Sequence, residues 1–137
     1  MIYLQRDYLT VRHDASLNIL FSEWFGRISS DEYREGMQFI LQVIREKNIP
    51  RWLSNSRNMN ALPVVDQRWT NELFFREMPQ TPLKKVARLL SDEIINQLII
   101  NNMVEHAQEI SPIKVDFAQF SDLETAMQWL SEDILVK

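Results

Sequence analysis

The sequence predicts an α/β domain of order ββαβαβαβα, a mixed, mainly parallel sheet with helices packed on it. Three observations carry this. Residues 8–12 and 17–22 each alternate apolar and polar side chains, on either side of a short polar turn, His13-Asp14-Ala15-Ser16. Tyr33, Met37, Ile40, Leu41 and Ile44 fall at the spacing of one helical stripe. After that helix, strand and helix patterns alternate to the end, which implies right-handed crossovers and parallel pairing.

In the hairpin, Leu9 and Val11 alternate with Tyr8, Thr10 and Arg12, and Leu17, Ile19 and Phe21 alternate with Asn18, Leu20 and Ser22. Gly26 closes the second strand, and Trp24 is expected on the face opposite Leu17, Ile19 and Phe21. Ser29 and Glu32 have the spacing of a capping box, which satisfies two donors at a helix start. Arg45 and Lys47 suit the negative end of that helix, and Pro50 prevents its continuation. "RWLS" is a short strand, and the polar run after it reads as a loop leading to a second helix that carries Trp69 and Leu73 on one face. Trp52 and Trp69 are expected to fill the core where this helix meets the sheet.

Pro79 and Pro82 bracket the exit to "LKKVARLLS", a third buried strand. Ser91 is expected to cap a helix at 92–107, whose wide apolar surface includes Ile94, Ile95, Leu98, Ile99 and Met103. "IKVDFAQF" alternates as a strand with one wet face, at a sheet edge. Ser121 and Glu124 repeat the capping-box spacing before a last stripe of Leu123, Ala126, Met127 and Leu130. No linker or repeat divides the chain, so residues 1–137 are read as a single domain.

Composition narrows the functional classes. The 137 residues hold 45% hydrophobic and 25% charged side chains, enough to build a core and against disorder. Two glycines, Gly26 and Gly36, do not make a glycine-rich phosphate loop. With no cysteine, thiolate chemistry and cysteine-based zinc sites are excluded, which suits a reducing compartment. A net charge of -4 speaks against general nucleic-acid binding. No apolar run reaches the roughly 18–20 residues needed to span a bilayer, and the first residues do not read as a signal peptide, so a cytoplasmic location is expected.

Catalytic candidates are few. His13 and His106 are the two histidines, and they lie in different elements. Asp31, Glu32, Asp92, Glu93, Asp122 and Glu124 sit at helix starts, where negative charge suits the dipole. Neither a cofactor nor a metal is expected, and no acid–base–nucleophile set assembles. What remains is Ser54, Ser56 and Arg57, after a strand of the parallel region. Open α/β sheets bind ligands at such strand ends, and Arg57 there could pair with an anion. The other reading is that these side chains satisfy the loop backbone and an internal carboxylate.

Four stretches, "FSEWFGRISSDEYREGM", "IPRWLSNSRNMNAL", "DQRWTNELFF" and "LETAMQWL", resemble the STAS/SpoIIAA-like domains, the fold of anti-sigma factor antagonists. The resemblance is closer to small stand-alone bacterial STAS/SEC14-like proteins, through a "W-x-S-x-x-R-N-M" pattern, and it covers nearly the whole chain. It implies a non-enzymatic regulatory or protein-interaction module. Anti-sigma factor antagonists carry a phosphorylatable serine in an Asp-Ser-Ser/Thr-Gly motif that opens the second helix. By order of elements that region is "VVDQRW", where Asp66 matches the aspartate, Gln67 and Arg68 replace the hydroxyls, and no glycine follows. The phosphoserine switch therefore does not transfer. Asp66 and Trp69 join Ser54, Ser56 and Arg57 as candidate contacts for a ligand or partner. Two readings stand: an interaction module with an unknown protein partner, a homodimer through the hairpin or last helix included, or a carrier of a lipid or small apolar ligand.

Overall fold

A computed structural model describes residues 1–89 and 115–132. Six strands form one sheet in sequential order: β1 (Ile2–Gln5), β2 (Leu9–Asp14), β3 (Ile19–Gly26), β4 (Arg51–Met59), β5 (Lys85–Leu89) and β6 (Asp116–Phe120). β1, β2 and β3 pair antiparallel, whereas β3 through β6 pair parallel. The change follows from the connections. A four-residue turn joins β2 to β3, with Asn18 in the left-handed region at φ 53°. The Asp14 carboxylate accepts from the Ser16 hydroxyl at 2.6 Å and the Leu17 amide at 3.2 Å, and these bonds hold its pKa below the usual aspartate value. Parallel neighbours instead need a crossover, supplied by α1 (Ser30–Lys47) between β3 and β4 and by α2 (Val64–Glu77) between β4 and β5.

The capping box forms as predicted. The Glu32 amide donates to Ser29 Oγ and the Ser29 amide to Glu32 Oε1, both at 3.1 Å. At the other end Asn48 takes a left-handed conformation, and the Ile49 amide closes on the Ile44 carbonyl.

Period-two alternation divides the core. Leu9, Val11, Leu20, Trp24, Trp52 and Val86 face α1 and α2, meeting Tyr33, Met37, Ile40, Ile44 and Leu73. Ile19, Leu53, Ala87 and Leu89 face the other way, against Ala126 and Leu130 of α3 (Leu123–Ser131). Lys85 fastens α3 to the sheet. Its buried Nζ donates to the Trp129 carbonyl at 2.8 Å, lies over the Trp129 ring and approaches Glu132 at 3.8 Å.

Four expectations change. β1 adds an edge strand that the sequence reading missed, because four residues with a register shift give alternation too little length. β4 runs on through the polar run to Met59, where a loop was expected. β5 pairs its backbone as far as Asn55 and β3 as far as Met59, so polar side chains do not end it. α3 is capped by Asp122, not Ser121: the Asp122 carboxylate accepts from the Glu124 and Thr125 amides and from the Thr125 hydroxyl. These bonds, the Thr125 hydroxyl first, lower its pKa. Leu123 stays exposed instead of joining the apolar stripe. The predicted helix at 92–107, with its Ser91 cap and His106, lies outside the described residues.

Trp24 does point away from Ile19 and Phe21, and its own chain covers it. α1 approaches closely enough that a Cβ on Gly36 would stand 2.5 Å from Trp24 Cη2 and 2.7 Å from Leu9 Cδ2. Gly36→Ala therefore overpacks a rigid ring, and we expect a loss of about 1–3 kcal/mol in urea unfolding. An unchanged midpoint would show that the helix stands further off.

Candidate functional site

Continuation of β4 through the polar run separates the residues that the sequence grouped together. Ser54 and Ser56 share a face with Trp52 and line a small cavity under α1 and α2. Asn55 lies with Leu53 on the opposite face, in a shallow hollow beside Phe21 and Leu123. Arg57 turns to Asn55: its amide and its Nε both donate to Asn55 Oδ1, at 3.1 and 3.3 Å. Its charge also contributes to keeping the Asp122 carboxyl low.

The cavity measures about 20 Å³ and is bounded by β4, β5, α1 and α2. Ser54 is the register partner of Arg88, so the two side chains stand side by side on one face. Tyr33 of α1 and Thr70 of α2 complete the polar part, and Trp24, Trp52 and Phe117 contribute aromatic walls. The hydroxyl protons can be traced. Thr70 donates to the Asp66 carbonyl at 2.7 Å, so the 2.8 Å bond between Tyr33 and Thr70 has the phenol as donor. Ser56 donates to the Leu89 carbonyl at 3.2 Å. Burial pushes the Tyr33 phenol up to about 12 and the Arg88 guanidinium down to about 10. At neutral pH the phenol is therefore neutral and the guanidinium charged.

Asp66 sits in the first turn of α2, fully buried. One carboxylate oxygen accepts from Ser30 Oγ at 2.7 Å and the other from Arg34 Nε at 3.1 Å. Arg34 lies 5.4 Å above the Trp69 ring, and Trp69 meets Tyr33 edge-on. Asp66 and Trp69 thus fasten α2 to α1. Trp69 remains half-buried, whereas Trp52 is buried and donates from Nε1 to Ser22 Oγ. His13 uses both ring nitrogens within the chain, with the Tyr3 hydroxyl at 3.2 Å and Asn18 Oδ1 at 2.9 Å.

Where β3 and β4 end, a groove of about 620 Å³ opens between the segments that lead into α1 and α2. Its walls are Arg27 to Ser30 on one side and Met59 to Pro63 on the other. Beside it, Val64 and Val65 are 62% and 56% exposed. No helix among the described residues is long and apolar enough to cross a membrane.

No family profile matches the chain, and no curated protein matches it. Among solved structures it is similar to an uncharacterised protein of the DUF3478 family with a SpoIIAA-like fold, from Shewanella loihica PV-4. The superposition has a TM-score of 0.62 and covers 95% of this chain and 99% of that one. The chain has a SpoIIAA-like fold. At 15% identity the likeness carries the fold alone. Within a SpoIIAA-like fold the start of the second helix is the region that the STAS resemblance singled out. Here it presents valines, with Asp66 turned inward.

The sequence reading did not find Tyr33, Thr70 or Arg88 as lining residues. Arg88 left a signal, a charge in the middle of the otherwise apolar "VARLL". Tyr33 left none, since an aromatic at a stripe position reads as core. The phenol itself can be checked. Tyr33→Phe should remove an ionisation step near pH 12 from the native protein's phenolate absorbance. Persistence of that step would assign it to another tyrosine.

Proposed function

We propose that this chain is a non-enzymatic SpoIIAA-like interaction module that binds a protein partner at the entrance to α2. The observation that carries this is the exposed pair Val64 and Val65 beside a groove in which Ile28, Met59 and Leu62 alternate with Arg27, Ser29 and Asn60. Single apolar residues on a surface need no explanation, but adjacent ones bordering a groove of mixed polar and apolar walls form a contact patch. The groove also lies at the carboxyl ends of two parallel strands, where open α/β folds place their binding sites. Gln67 and Arg68 offer no hydroxyl for phosphoryl control at this helix start, so recognition rests on the shape of the groove, the exposed valines and the polar groups of Arg27 and Asn60. A second copy of the chain is the first partner to test.

The carrier reading requires more room. Ligand pockets commonly enclose roughly 300–1,000 Å³, against about 20 Å³ in the cavity under α1 and α2; the space expected for a carrier, between the sheet and the helix at 92–107, lies outside the described residues.

Val64→Asp and Val65→Asp change exposed positions, so each should leave the unfolding free energy within about 0.5 kcal/mol of wild type. Both should abolish self-association in sedimentation, or capture of a partner from host extract followed by binding to that purified partner. Undiminished binding by both variants would move the interface elsewhere. A turnover assay yielding product with the purified chain would remove the non-enzymatic reading.

A further inference from the structure

The two faces of the sheet are covered unequally. α1 and α2 pack on one of them. On the other, Ala126 and Leu130 of α3 pack against Ile19, Leu53, Ala87 and Leu89, while Ile2 and Arg12 of the first two strands stay exposed. Register sets Ile2 beside Arg12, Arg12 beside Phe21 and Phe21 beside Leu53, so these four form one row across that face. Glu23 stands two residues beyond Phe21 on the same side, half-buried. Leu123, 47% exposed, borders the row from α3. Arg12, Phe21, Glu23 and Leu123 all line one hollow of about 110 Å³. The two charges are opposite and neighbouring, yet neither forms an ion pair among the described residues. The Arg12 guanidinium lies 4.0 Å over the Phe21 ring instead. A stacked guanidinium keeps its N–H donors at its edge, where a carboxylate can meet them.

We propose that this face binds a second copy of the chain about a two-fold axis, with Arg12 of each copy meeting Glu23 of the other. A two-fold interface is self-complementary: where one residue meets a second, the second meets the first. One positive and one negative group on the same small face satisfy that condition. A partner of a single charge would set one of them against a like charge. Ile2, Phe21 and Leu123 supply the apolar area around the pair. The hollow shares no lining residue with the groove at the α2 entrance. With a copy seated here, that entrance is left for a different protein, and Val64→Asp then acts on capture of that protein and not on the dimer.

The test is sedimentation equilibrium of the full chain up to high micromolar concentration. Wild type is expected to dimerise, and so is Val64→Asp. Arg12→Glu and Glu23→Arg should each be monomeric, because each sets like charges together across the axis. An equimolar mixture of those two variants should dimerise again, since every charge contact in the mixed pair joins opposite signs. Glu23→Gln, which removes the charge without reversing it, should weaken association roughly tenfold, and it covers the case in which a reversal disturbs the fold. A wild type that stays monomeric, charge variants that dimerise as wild type does, or a mixture that stays monomeric would each overturn the proposal. So would a dimer lost in Val64→Asp and kept in the charge variants, which would place the copy at the α2 entrance.

Discussion

A carboxylate with no exposure to water must be met by hydrogen-bond donors, and the buried Asp66 imposes that requirement on this chain. Its partners both come from α1: Ser30 in the first turn and Arg34 one turn later. α2 can therefore seat Asp66 only where α1 offers that pair, which fixes the rotation and the height of one helix against the other. The Asp66 carbonyl extends the constraint, because it takes the proton of Thr70 and leaves Thr70 to accept from Tyr33. Tyr33 in turn packs against Trp24 and Trp69. Removing one member of a largely buried charge pair costs more than the net gain from forming it. The cluster therefore serves orientation more than overall stability.

The functional features follow from that orientation. With Asp66 turned inward, Val64 and Val65 just before it face solvent at the mouth of the groove. The same seating brings Thr70 and Tyr33 over Ser54 and Arg88, closing the small cavity. One fixed helix start thus sets both the exposed valines beside the groove and the small cavity beneath the helices. Gly36 makes the second half possible, since a side chain there would lift α1 from Trp24 and open the cavity.

The sequence made some of this legible and hid the rest, for physical reasons. α1 could be read from end to end because its cap, its stripe and its stop residue are all local signals. The β2–β3 hairpin and the edge position of β6 were equally readable from alternation. β4 was misjudged because its extension past Asn55 depends on pairing with β3 out to Met59, which the strand's own nine residues do not contain. Reasoning from the spacing of Ser121 and Glu124 also failed at α3, where Asp122 outcompetes the adjacent serine as cap because it accepts from two amides at once. Of the candidate contacts, Ser54 and Ser56 do line a cavity, while Arg57 goes to the other face because alternation separates neighbours. Asp66 was picked out by resemblance, and its role as a fastening between helices depends on contacts 32 and 36 residues away in sequence.

If Asp66 holds α2 on α1, native-state hydrogen exchange of Asp66→Ala will register its loss in α2. Amides of α2, Val64 to Glu77, are expected to lose protection by roughly 1–3 kcal/mol, while amides of β3 and β4 exchange as in wild type. Unchanged protection across α2 would contradict it, and would mean that apolar packing alone seats the helix.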